Sequence, residues 1–89
     1  MKNKKEYLLS EIVFEKKANQ NFEDQTKKIN SSIIEIGFDN TANIYSISET
    51  AKFGGKVGWV DETSLSSLIN NKLKDLEKNQ YTDVIQIKN

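Results

Sequence analysis

The run Gly54-Gly55-Lys56-Val57-Gly58-Trp59 constrains this chain more than any other stretch, because three of its four glycines fall within those six residues. Glycine is costly inside a regular element and useful where φ must be positive or two backbones must approach closely. A Gly-Gly-x-x-Gly run that delivers Val57, Trp59 and Val60 therefore reads as a tight turn entering a short, partly buried strand. Ser46-Ile47-Ser48 leads into it, and an amphipathic run from Leu65 to Leu76 follows.

Upstream of the turn, Glu6–Phe14 reads as a strand, with Leu8, Ile12 and Phe14 on one face and Tyr7, Leu9 and Val13 on the other. Apolar residues on both faces predict an interior strand covered on two sides. Ser10 and Glu11 interrupt it; Glu11 is either a carboxylate at a locally open face or a polar group turned toward a site. The stretch 15–20 is a solvated loop. Asn21 is placed to cap a helix carrying Phe22, Ile29, Ile33 and Ile36 on its apolar stripe, widened by Ile34. Glu23 and Asp24 lie in its first turn and Lys27 and Lys28 further along, as the helix dipole favours, and Gly37 stops it. Phe38–Tyr45 forms a second short helix with Phe38, Ala42 and Tyr45 on its buried side.

Downstream, 61–64 (Asp-Glu-Thr-Ser) opens a third helix, with Thr63 or Ser64 as cap and Leu65, Leu68, Ile69, Leu73 and Leu76 as its stripe. Asn79 suits a left-handed terminator. A final strand runs over 84–88 with Ile85 and Ile87 on one face. The order is β-α-α-β-α-β, without internal repeats, low-complexity segments or linkers.

Composition removes several classes of chemistry. Eighty-nine residues make one small domain, burying about 60–65% of its unfolded surface. Thirteen basic and thirteen acidic side chains cancel, which takes away the usual electrostatic argument for nucleic acid or an anionic membrane. The sequence has neither cysteine nor histidine. Thiolate chemistry, the common zinc sites and imidazole acid–base catalysis are thereby excluded within it. No apolar run approaches the eighteen or so residues that cross a bilayer, and Tyr7-Leu8-Leu9 is too short for a signal-peptide core. The domain is expected to span 6–89, with 1–5 as added or linker residues.

The ordered set Gly37-Phe38, Ala42, Tyr45 and Ser46, then Gly54-Gly55-x-x-Gly58-Trp59, then a helix leading to Tyr81 and Val84-Ile85, resembles the parvulin family of peptidyl-prolyl isomerases. Here Val57 stands for the family's usual Leu, Asn79 for its Gly and Asp83 for its Pro, and Phe38 follows Gly37 more closely than is usual. The resemblance covers about 7–88. Within the family, Leu9-Ser10-Glu11-Ile12 is most similar to the opening strand of the first parvulin repeat in SurA-type periplasmic chaperones of outer-membrane proteins.

The resemblance implies an α+β, FKBP-like antiparallel sheet with packed helices and no cofactor or metal. It implies a periplasmic location and, as partners, unfolded or proline-containing polypeptides such as outer-membrane proteins, with no nucleic acid and no membrane insertion. A further family strand, beside the first, would begin just after Asn89. Without it, the edge of the first strand is a template for a neighbour's strand, so the chain is expected either to recruit one, as a strand-exchanged homodimer, or to be unusually unstable for its size.

Carried over residue by residue, the family's first-strand His falls on Glu11 and its Cys or Asp falls on Ser48. The apolar pair that seats the prolyl ring falls on Leu65 and Ile69. Rotation about a peptide bond has a barrier of ~18–20 kcal/mol, lowered only by favouring the twisted amide over both planar forms. That requires an apolar seat and suitable polar groups around it. Leu65 and Ile69 serve either as part of such a seat or as ordinary helix-to-sheet core. Ser48 is either a site group or a loop hydroxyl bonded to nearby backbone. Trp59 reads first as a core anchor and second as a platform for ligand. Three readings follow: a peptide-binding, chaperone-type parvulin, a working isomerase in which Glu11 and Ser48 replace the usual groups, or a spacer within a larger protein with no ligand of its own.

Overall fold

The computed structural model describes residues 5–16 and 21–85. Its elements run β1 (Glu6–Ser10), α1 (Phe22–Ile36), α2 (Phe38–Tyr45), a 3-10 turn (Glu49–Phe53), β2 (Lys56–Asp61), a second 3-10 turn (Glu62–Ser64) and α3 (Ser67–Leu73). The chain forms two compact units, Leu8–Trp59 and the combination of Met1–Tyr7 with Val60–Asn89. Strands β1 and β2 pair as a two-stranded sheet.

The sheet is antiparallel. Glu11 donates its amide to the Gly55 carbonyl at one end, and Glu62 donates to the Lys5 carbonyl at the other. Between these bonds the second strand contains one residue more than the first. Such an extra residue is a β-bulge, which favours glycine at positive φ. Gly58 takes a φ of +101° inside β2.

In the unit Leu8–Trp59, Asn21 caps α1 by accepting the Glu23 amide at 2.8 Å. The helix ends at Gly37, whose amide donates to the Ile33 carbonyl at 2.9 Å. Helix α2 follows at once and packs on α1. The core between and beside them is small: Ile29, Ala42 and Thr41 are its buried members. Thr41 is wholly enclosed because its hydroxyl is satisfied, donating to the Gly37 carbonyl at 2.8 Å and bonding Ser32 Oγ at 2.8 Å. A buried hydroxyl without partners would be costly. Phe14 stacks on Phe22 with ring centroids 6.1 Å apart, tying the segment after β1 to the start of α1.

Gly55 closes this unit. A Cβ there would lie 2.3 Å from the Glu11 carbonyl oxygen and 3.1 Å from Ala42 Cβ, at φ +85°. The segment after β1 thus passes too close to the glycine turn for any side chain, as the opening motif predicts.

The second unit is held by local bonds. Asp61 caps the turn Glu62–Ser64 by accepting the Thr63 amide and hydroxyl, each at 2.9 Å. Ser66 caps α3 by accepting the Ile69 amide at 3.3 Å. Asn70 Nδ2 reaches back to the Glu62 carbonyl at 2.9 Å. Leu65, Ile69, Leu73 and Leu76 are half-buried.

Several expectations change. The first strand ends at Ser10, not Phe14. It is not covered on both faces, since Leu8 is 65% exposed. Residues 11–14 lie outside β1, and their bonds go to Gly55, Ser46 and Ile47. Ile34 is 83% exposed and lies outside the stripe of α1. The third helix is shorter than its apolar pattern, starting at Ser67 with Ser66 as cap. The Asp61 cap draws Thr63 and Ser64 into a separate 3-10 turn, which leaves Leu65 ahead of the helix. Asn79 does adopt a positive φ of 70°, but α3 has already ended at Leu73. Val84 and Ile85 belong to no strand, and the rest of the expected final strand lies outside the described residues. Trp59 is no core anchor: in β2 its indole is 68% exposed.

Candidate functional site

The residues that join β1 to the 3-10 turn bring three polar side chains together. Ser48 Oγ donates to Glu11 Oε2 at 2.8 Å, and Thr50 Oγ1 donates to the same oxygen at 2.8 Å. The two hydroxyls are 3.1 Å apart. All three residues are half-buried. The local sequence explains the convergence. Ser48 caps the turn Glu49–Phe53 by accepting the Thr50 amide at 3.4 Å. That fold of the backbone turns Ser48 and Thr50 to one side while Glu49 points away, the familiar behaviour of a Ser or Thr at a turn start. Glu11 is held opposite them by its own amide bond to the Gly55 carbonyl at 2.8 Å. The neighbouring bonds, Val13 amide to Ser46 Oγ at 3.0 Å and Ile47 amide to Val13 carbonyl at 2.8 Å, fix the two segments in register.

The chemistry of this cluster follows from proton counting. An ionised carboxylate only accepts, and a hydroxyl has one proton to give. Ser48 gives its proton to Glu11, and Thr50 gives its own to Glu11 or to Ser48. Neither hydroxyl then has a proton for a substrate. The twisted amide of prolyl rotation presents a nitrogen with an unshared electron pair, which a donor would stabilise. This cluster offers oxygen acceptors instead. Among the described residues no group of three or more acidic side chains forms a metal site.

Of the residues singled out in the sequence, Glu11 and Ser48 are hydrogen-bonded partners within the unit Leu8–Trp59. Trp59 is the last residue of that unit and presents its indole to solvent. Leu65 and Ile69 belong to the other unit and are half-buried there. Thr50 joins them only in the structure, through its bond to Glu11 Oε2. The Ser-x-Thr spacing at a turn, two residues after Ser46, is the signal that points to it.

The family model for the rotamase, PPIC-type PPIase domain matches residues 5–89. The chain therefore belongs to the PPIC-type, or parvulin, family of peptidyl-prolyl cis–trans isomerases. Its α+β architecture, an antiparallel sheet pair with three helices, is compatible with that fold. No curated protein and no solved structure gives a significant match.

Proposed function

We propose that this parvulin domain acts mainly as a peptide-binding module on unfolded polypeptides, within a SurA-like chaperone of outer-membrane proteins in the periplasm, and is a weak prolyl isomerase. One observation carries the reading: both hydroxyls nearest the family's polar positions are engaged by Glu11 Oε2. A site of this kind places a carboxylate beside the substrate carbonyl, where desolvating it is unfavourable. Holding a peptide needs contact area and no discrimination between planar and twisted amides. The exposed indole of Trp59 offers such area, and Leu65 and Ile69 stand, by family resemblance, for the apolar pair that contacts the chain.

Titration of an unfolded, aromatic-rich peptide followed by Trp59 emission tests this reading. Saturable binding is expected, and it weakens severalfold in Leu65→Ala/Ile69→Ala, which leaves the hydroxyl–carboxylate cluster intact. Loss of about 40 Å² of contact removes about 1 kcal/mol at ~25 cal/mol per Å². Unchanged affinity in a folded double variant would overturn the assignment of those two residues, and no binding at all would overturn the peptide-binding role.

A further inference from the structure

Glu11 is the one charged member of the cluster it forms with Ser48 and Thr50, and its two oxygens differ. Oε2 lies 2.8 Å from both hydroxyls, Ser48 Oγ and Thr50 Oγ1. Among the described residues Oε1 takes no hydrogen bond, and no cation pairs with the carboxylate. Nor is Oε1 enclosed: among the described residues the buried side-chain oxygens without a partner are Gln25 Oε1 and Asn70 Oδ1. An oxygen that has no partner and is not buried meets solvent. The carboxylate is thus held at one oxygen and open at the other.

Charge decides what an open oxygen of this kind selects. A hydrogen bond from a cation to a carboxylate is about twice as strong as one between neutral groups. The orientation is set before a ligand arrives, since the hydroxyls hold Oε2 and the Glu11 amide is bonded to the Gly55 carbonyl at 2.8 Å. Docking then costs little of the side-chain entropy that makes exposed ion pairs weak. Glu11 is also half-buried, so salt screens it less than a fully exposed charge. The occupied oxygen separates one cation from another. A guanidinium draws its advantage over an ammonium from a fork that needs both carboxylate oxygens. Oε2 already has two hydroxyls against it, so arginine keeps one bond and the compact ammonium of lysine does as well. The formal net charge of the chain is zero, which removes long-range attraction as a rival source of such a preference.

We propose that Glu11 Oε1 is the specificity point of the domain, receiving a basic side chain of the bound polypeptide, lysine as readily as arginine. An acidic side chain there would set two carboxylates against each other and is disfavoured. This assignment rests on the peptide-binding role proposed for the domain and names the class of segment it accepts, one with a basic residue beside the contact.

The test uses an unfolded, aromatic-rich, tryptophan-free host peptide with one guest residue: lysine, arginine, norleucine or glutamate. The guest is placed in turn at each position before the aromatic residue. Binding is followed by Trp59 emission and by amide NMR shifts of the ¹⁵N-labelled chain. At one position the lysine and arginine peptides are expected to bind within about twofold of each other and about three- to tenfold tighter than norleucine, with glutamate weaker still. Shifts are expected at the Glu11 and Thr50 amides. The preference is expected to shrink between about 0.01 M and about 1 M salt, and to vanish in Glu11→Gln. Should that variant not fold, the guest series and the shifts on the unaltered chain decide alone. Equal affinity for all four guests at every position would overturn this inference and leave peptide binding standing, whereas no binding by any peptide would overturn both. Arginine favoured by more than about tenfold over lysine would overturn the single-oxygen contact. A preference that persists in Glu11→Gln, or shifts confined to other residues, would overturn the assignment to Glu11. The same shifts produced by n-butylammonium at lower concentration than by the lysine peptide would overturn the polypeptide as the source of the cation.

Discussion

Gly55→Ala is the substitution whose cost follows most directly from the structure. The added methyl would lie 2.3 Å from the Glu11 carbonyl oxygen, a backbone atom that cannot rotate away, and 3.1 Å from Ala42 Cβ. It would also hold a residue with a Cβ at φ +85°, which costs about 1–2 kcal/mol. Relief of the clash requires the segment after β1 to withdraw, losing the Glu11–Gly55 backbone bond at about 0.5–1.5 kcal/mol. Overpacking against Ala42 adds about 1–3 kcal/mol, so the whole comes to about 2.5–6.5 kcal/mol. A chain this size has about 4–13 kcal/mol of stability in all, so much or all of it would go. Gly58→Ala supplies the control. Its φ is +101° and a Cβ there meets nothing within 4 Å, so only the conformational cost of about 1–2 kcal/mol applies. The gain from stiffening the unfolded chain is common to both and cancels. Urea unfolding followed by circular dichroism at 222 nm compares them. A Gly55→Ala variant no less stable than Gly58→Ala would refute the close-approach argument.

Other substitutions test particular parts of the account. Thr41→Val leaves Ser32 Oγ without its partner and takes from the Gly37 carbonyl one of two bonds, the Thr41 amide remaining, and is expected to cost about 1–3 kcal/mol in thermal or chemical unfolding. Asn21→Ala removes the cap of α1, with an expected loss of about 1 kcal/mol by the same measurement. Trp59→Ala, at a position 68% exposed, is expected to change unfolding free energy by no more than about 0.5 kcal/mol, whereas a core anchor would cost several times that.

The helices α1 and α2 were legible in the sequence because their signals are local: the Asn21 cap, the Ile stripe and Gly37 all act within a turn or two. The glycine motif foretold the close approach at Gly55, though its partner, the Glu11 carbonyl, became visible only in three dimensions. The first strand was read too long because its alternation continues through Phe14, while the hydrogen bonds of 11–14 go to the segment around Ser46 and to Gly55. Nothing in local sequence announces that switch of partner. Trp59 was misjudged because an aromatic in a short strand is buried only if another layer covers its face. The third helix lost its first turn to Asp61, whose side chain accepts both the amide and the hydroxyl of Thr63 and so holds that residue inside a 3-10 turn, where its hydroxyl is not free to cap. In the site, family resemblance pointed to Glu11 and Ser48, but the sharing of one carboxylate oxygen by two hydroxyls depends on the turn geometry that also recruits Thr50.

The central claim is that a parvulin with Glu11 bound to Ser48 and Thr50 is a poor catalyst of prolyl rotation. The direct measurement is the cis-to-trans rate of a short Xaa-Pro peptide with and without the domain, repeated with Glu11→His, which replaces the acceptor-only carboxylate by a ring able to donate. The account predicts a rate close to the uncatalysed one for the unmodified chain and a higher rate for Glu11→His. Acceleration by the unmodified chain in the range of efficient enzymes, with kcat/KM of about 10⁴ M⁻¹s⁻¹ or more, would contradict it.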